Sequence, residues 1–107
     1  MRNQSKSMSI IDKELTVEGM VSFKGQLIVK GTVKGNLYGD IVVIAEEGVV
    51  QAQATVSHIT IGGTFDGELK SSDKLTILST GKCSGQITCK TFEVESGGIL
   101  NAEVNCK

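Results

Sequence analysis

The sequence predicts an all-β fold in which one chain winds into a single-stranded parallel β-helix of about six turns, and three observations predict it. A short strand-like motif recurs along the chain at intervals of 15 to 18 residues. Apolar and polar residues alternate within its copies, which is the period of a β-strand and not of a helix. The chain has 13 glycines and no proline, which favours tight turns between strands whose N–H groups all donate hydrogen bonds.

The first recurring motif has the form apolar, any residue, Gly or Ala, any residue, apolar. Its copies are residues 33–37 (VKGNL), 50–54 (VQAQA), 65–69 (FDGEL), 83–87 (CSGQI) and 100–104 (LNAEV). Residues 23–27 (FKGQL) read as a sixth copy, although they begin only 10 residues before the next one. We expect the central glycines to face the interior, where a larger side chain would crowd the core.

A second motif, apolar, any residue, apolar, lies between these copies. It occurs at residues 27–29 (LIV), 41–43 (IVV), 59–61 (ITI), 75–77 (LTI) and 92–94 (FEV). Such short strands need neighbours for their backbone N–H and C=O groups. Stacking equivalent strands about 4.8 Å apart provides those neighbours and aligns the inward side chains in apolar columns. A β-sandwich or small antiparallel barrel is the alternative, but its hairpin signals are missing, because the one Asp-Gly pair lies within a motif copy.

Composition and motifs exclude several classes of function. The net charge is −1 and the lysines and arginines are scattered, so nucleic acid is not expected as a partner. No Walker-type phosphate loop is present, so we expect no nucleotide. His58 is the one histidine, which rules out a triad or a multi-histidine metal site within one chain, and we predict no cofactor and no metal. No stretch resembles a membrane span or a secretory signal, so a cytoplasmic location is expected.

The remaining chemically able side chains fit structural positions. Cys83, Cys89 and Cys106 are an odd number without a C-x-x-C pair, and their parity places them in the core or at its edge. Asp66 and Glu68 are the one close pair of outward acids on the glycine-containing strands, and no cationic column joins them. We therefore predict no catalytic residue and no enzyme.

The ends of such a coil are the predicted site of function. Each end leaves an open strand edge and an open core cross-section, which soluble solenoids usually cover with a cap. Here the strand pattern runs from about Leu15 to Val104 without a cap signal, so we expect copies to stack end to end. The expected polymer interface is Leu15, Val17, Val21 and Phe23 at one end, and Phe92, Val94, Ile99, Leu100 and Val104 at the other.

A second candidate surface lies on the side of the coil. Ile28, Val42, Ile44 and Leu78 fall on the parity opposite to the core positions. Apolar residues that face outwards over several turns would form a patch suited to lateral contact. Two alternatives stay open, namely that corners shift the parity or that the N-terminal segment folds over this face.

Three stretches make the chain similar to the bactofilins, a family of bacterial polymer-forming cytoskeletal proteins. They are residues 17–37 (VEGMVSFKGQLIVKGTVKGNL), residues 59–69 (ITIGGTFDGEL) and the pair Gly97-Gly98. The resemblance implies a right-handed, roughly triangular β-helix that assembles end to end into nonpolar filaments without nucleotide and helps to shape cells or organise the cell wall. We expect a flexible tail at residues 1–11, the β-helix domain at 12–105 and a short C-terminal end at 106–107.

The resemblance also implies partners. The chain would form a homopolymer at the inner face of the cell membrane, with peripheral membrane contact through the N-terminal tail and with cell-wall-associated proteins as further candidates. The alternative is a regulatory binding module, because the C-terminal domain of the division inhibitor MinC is also a short β-helix and docks partners through a side face.

Overall fold

The structure is a computed structural model that describes residues 8–106. Its ten strands are β1 (Met8–Ile11), β2 (Thr16–Ser22), β3 (Gln26–Val29), β4 (Thr32–Tyr38), β5 (Ile41–Ile44), β6 (Val49–Ile61), β7 (Thr64–Ile77), β8 (Lys82–Cys89), β9 (Thr91–Val94) and β10 (Ile99–Cys106). All ten belong to one sheet, and every pairing is parallel. The described residues include no helix that is long and apolar enough to cross a membrane.

The sheet coils because equivalent segments of successive repeats pair in register. One set, which we call the first face, consists of residues 8–11, 26–29, 41–44, 58–61, 74–77 and 91–94. The other set consists of residues 16–22, 32–38, 49–55, 64–70, 82–88 and 99–105, and the residue at its centre divides it into a second and a third face. Each set has six members, so the predicted parallel β-helix of about six turns is confirmed.

The core is a set of apolar columns inside the coil. On the first face Leu27, Val42, Ile59 and Leu75 stack in register, and each is at most 2% exposed. Phe65 is the largest fully buried side chain, on the second face. Full burial of such a side chain stabilises the fold by about 1.5–3 kcal/mol. Because a single turn cannot bury its own inward side chains, the stack is the unit that is stable.

The central glycines of the first motif form a corner and do not point into the core, so that expectation was wrong. Gly35, Gly67 and Gly85 have φ values of 121°, 131° and 112°, a region that favours glycine. Gly35 and Gly85 are also exposed. A Cβ atom on Gly35 would overlap the carbonyl oxygen of Gly19 in the preceding turn. Corner geometry and the close stacking of turns therefore require these glycines.

The first turn also differs from the sequence-based expectation. Its copy of the motif is residues 17–21 (VEGMV), which pair with residues 33–37; residues 23–27 are not a copy. Residues 23–25 instead connect β2 to β3, and the ring of Phe23 lies where a side chain at Gly39 would be. The spacing of 10 residues was the sign of this error, because one turn takes 15 to 18.

The coil begins earlier than the predicted domain. Residues 8–11, assigned to the tail, form β1, and Ile11 is 6% exposed and pairs with Val29 of β3. At the other end β10 continues to Cys106. The rest of the predicted tail, residues 1–7, lies outside the described residues. Ile11 reaches the core because it shares the inward parity of Val29.

Candidate functional site: the two open ends of the coil

The C-terminal end of the coil exposes apolar side chains that would be buried in any earlier turn. On the first face Phe92 pairs with Leu75 and Val94 pairs with Ile77. Leu75 and Ile77 are both 0% exposed, whereas Phe92 is 37% and Val94 is 39% exposed. The side chains share one parity and differ in whether another described turn lies above them.

The second and third faces continue this apolar surface. Leu100, Ala102 and Val104 lie on Cys83, Gly85 and Ile87 of the preceding turn, and they are partly buried against the core. Ala102 was not among the predicted interface residues. Its signal was present in the sequence, since it occupies the central position of the motif copy LNAEV.

The N-terminal end has a smaller apolar surface. Val17 and Val21 are partly buried, and they pair with Val33 and Leu37 of the second turn, which are fully buried. Leu15 is 49% exposed. Its carbonyl oxygen accepts a hydrogen bond from the backbone N–H of Thr32, so it stands at a turn position that glycine takes in later turns.

Two predicted interface residues lie at the margin of these surfaces. Ile99 is 43% exposed but shares the outward parity of Lys82 and Thr64, so it points away from the cross-section. Phe23 lies in the connection from β2 to β3, where its N–H donates to the carbonyl oxygen of Tyr38 at 3.0 Å.

Charged and polar groups border the C-terminal apolar surface. The Nζ atom of Lys74 lies 2.6 Å from Oε1 of Glu93. The Ser79 N–H donates to Oε1 of Glu95 at 3.2 Å. Glu103 alternates with Ala102 and Val104 and is exposed. An apolar centre with a polar rim is the usual anatomy of a protein–protein interface.

The predicted lateral patch is partly wrong. Val42 and Ile44 are 0% exposed, because β5 pairs Val42 with Leu27 and Ile44 with Val29 in the core columns. The run IVVI is apolar throughout, so alternation could not reveal its inward residues, and the neighbouring turns decide them. Ile28 does face outwards and is half-buried. Leu78 is half-buried at a corner, near Gly62.

The groove along the glycine corner is the largest concavity, at about 710 Å³, and amide and acidic side chains line it. Asp66 and Glu68 lie there on either side of Gly67. The described part of the chain contains no group of three or more His, Cys, Asp or Glu side chains that could hold a metal ion.

The cysteines are core residues where the structure describes them. Cys83 and Cys89 are 0% and 2% exposed, as predicted, and the side chain of Cys106 lies outside the described residues. Burial, with a smaller contribution from the charge of Asp66, raises the pKa of the Cys83 thiol to about 12. A thiol with this pKa is a poor nucleophile at neutral pH.

Comparisons with known proteins agree with this description. Residues 9–105 match the model of the family described as "Bactofilin: Polymer-forming cytoskeletal". The chain is 24% identical over 98 residues to bactofilin BacO of Myxococcus xanthus, which covers 91% of this chain and 78% of that protein.

Two solved structures share the fold. A cryo-EM reconstruction of Thermus thermophilus bactofilin double helical filaments has a TM-score of 0.79 at 22% identity and covers 91% of this chain and 99% of that one. The solid-state NMR structure of the cytoskeletal bactofilin BacA has a TM-score of 0.79 at 23% identity and covers 95% of this chain and 98% of that one. Since the family model spans nearly all of the described coil, this chain belongs to the bactofilin family of polymer-forming cytoskeletal proteins.

Proposed function

We propose that this bactofilin assembles end to end, through its first and last turns and without nucleotide, into homopolymeric filaments that act as a scaffold for bacterial cell shape or cell-wall organisation. As a member of a cytoskeletal family, the chain is a structural protein and not an enzyme.

One observation carries the proposal. Phe92 and Val94 continue the buried columns of the first face and are still more than a third exposed. A further copy stacked on this turn would bury them as Leu75 and Ile77 are buried. It would also pair the open strand edge, which is a template for another strand.

The energetics of stacking favour assembly that depends on concentration. Burial on the order of 500 Å² of apolar area at one junction would contribute about 12 kcal/mol. The loss of free translation and rotation costs about 4–15 kcal/mol. Because the two terms are of the same size, assembly requires no nucleotide hydrolysis and should begin above a threshold protein concentration.

The relatives support filaments as the product. The Thermus thermophilus bactofilin was solved as double helical filaments, and the present chain has the same fold. We propose filaments that are nonpolar, in which like ends meet, as the resemblance to the family implies. Membrane contact through the N-terminal tail, at the inner face of the cell membrane, and recruitment of cell-wall-associated proteins belong to the same proposal.

Negative-stain electron microscopy of the purified protein tests the proposal. Samples are prepared without nucleotide at a series of concentrations, and light scattering follows the same series. We expect filaments above a threshold concentration. A discrete monomer or dimer at every concentration would contradict filament assembly and favour the module that docks partners through a side face, as in MinC.

A further inference from the structure

An outward apolar column runs along the N-terminal half of the first face. Ile10, Ile28 and Val43 are direct neighbours in the parallel register of three successive turns, and Ile41 lies beside them on the same face. Ile10 is 54% and Ile41 is 40% exposed, while Ile28 and Val43 are half-buried. These four side chains form what we call the side patch.

The side patch stops after the third turn. The same column continues with Thr60, Thr76 and Glu93. The column of Ile41 continues with His58 and Lys74. One sheet face is therefore apolar towards the N-terminal end and polar towards the C-terminal end, so strand propensity alone does not account for the apolar residues. Threonine serves equally well at outward strand positions.

We propose that the side patch is a lateral contact with the side patch of a second copy, and that it joins two filaments side by side. The inference rests on the proposed filament. Three turns at about 4.8 Å and four residues at about 3.3 Å define a flat area of roughly 200 Å². A stable complex buries about 800 Å² on each partner, so one such contact does not hold two free molecules together.

A filament changes this balance because it repeats the patch along its length. Once one pair of patches has met, the next pair binds within a linked assembly, and weak contacts add up to a stable one. Lateral pairing is therefore a property of the polymer and is absent from the monomer.

The charges around the side patch favour a second copy over a lipid surface. The exposed charged residues at the borders of the first face in turns one to three are Asp12, Lys13, Glu14, Lys24, Lys30, Asp40, Glu46 and Glu47. Five are acidic and three are basic. Anionic lipids attract clusters of Lys and Arg, and a net acidic border repels them. A border with both signs can pair with its own copy.

The test compares filament width in three proteins by negative-stain electron microscopy. In the double variant Ile28→Thr/Val43→Thr, the second and third turns take the residue that the fourth and fifth turns carry. We expect filaments of unchanged length and at least a tenfold loss of paired filaments. The converse variant, Thr60→Ile/Thr76→Val, extends the patch by two turns and should increase pairing. Both substitutions are outward, and filament formation itself reports that each variant has folded.

The outcomes separate this inference from the proposed function. Filaments that are single in the wild-type protein, or that remain paired in the Ile28→Thr/Val43→Thr variant, overturn the lateral contact and leave end-to-end assembly intact. Absence of any filament overturns both. Cosedimentation with anionic lipid vesicles is measured in parallel, and vesicle binding that the same variant abolishes while filaments stay single assigns the patch to a membrane and overturns our proposal.

Discussion

Leu100 lies directly on Cys83 in the parallel register, one turn further along the same inward column. Cys83 is fully buried, whereas Leu100 is only partly buried. The neighbouring Asn101 lies on Ser84, faces outwards and is exposed. Two adjacent residues of β10 thus differ in a single respect, namely whether they point into the open cross-section or away from it.

The first prediction follows from this difference. Leu100→Arg places a charge in the apolar centre of the C-terminal junction, where its desolvation is unfavourable. We expect the variant to fold and to lose long filaments, while Asn101→Arg keeps them. If filaments are nonpolar, Leu100→Arg should stop at dimers joined through their N-terminal ends, because that junction is intact. Light scattering measures the size, and unchanged long filaments would remove Leu100 from the interface.

The second prediction concerns Gly19, in the first turn. Gly19 and Gly35 share the corner, with φ values of 109° and 121°. A Cβ atom on Gly35 would overlap the Gly19 carbonyl oxygen, while one on Gly19 would have nothing within 4 Å. Both alanine substitutions cost about 1–3 kcal/mol for the backbone conformation, and Gly35→Ala costs a further 1–3 kcal/mol or so, at about that magnitude, for overpacking. Urea denaturation of the unassembled proteins should show this difference.

Gly19→Ala is also a probe of the N-terminal junction. The added methyl group would point away from the second turn, into the space where a stacked copy places its backbone. We expect this variant to fold and to stop at dimers joined through their C-terminal ends in a nonpolar filament. Combined with Leu100→Arg it should give monomers. Normal filaments from Gly19→Ala would mean that the corner at this end remains open in the polymer.

The fold could be predicted from the sequence because the motif repeats, and repetition shows the register of one turn against the next. The same reasoning failed where repetition was weak. In the first turn, FKGQL matched the pattern better than VEGMV, and a three-dimensional register was needed to choose between them. In β5 the run IVVI hid its parity, because all four residues are apolar.

The ends of the coil were predictable for a different reason. A residue such as Phe92 is recognised as inward from its alternation with Thr91 and Glu93, and as terminal from its position in the last repeat. The side patch was only partly visible. Ile28 has the outward parity in an alternating strand, but the partnership of Ile10, Ile28 and Val43 depends on how the first three turns stack.

The third prediction tests the corrected parity of β5. Val42 is 0% exposed and Val43 is half-buried on the outer side. Val42→Asp should cost about 4 kcal/mol or more, because it buries an unpaired charge. Val43→Asp should cost about 1 kcal/mol, from strand propensity. Chemical denaturation followed by circular dichroism measures both, and equal losses of stability would mean that the register of β5 is different.

The last prediction concerns pH and the Cys83 thiol, whose pKa rises from 9.0 to about 12 chiefly through burial. A group with a raised pKa in the folded state contributes its full stability below the pKa of the unfolded state and loses it as the pH rises towards the folded value. The free energy of unfolding should therefore be unaffected by this thiol below about pH 9. Above that pH it should fall by about 1.4 kcal/mol per pH unit.

Lysines and the tyrosine also titrate in this range, so the measurement needs a variant that lacks only the thiol. Cys83→Val is suitable, because Val33 and Val50 occupy the same inward column. Urea denaturation at half-unit steps from pH 8 to 10.5 should give parallel stabilities below pH 9 and a growing advantage for the variant above it. Curves that stay parallel throughout would show that the buried thiol does not couple to unfolding.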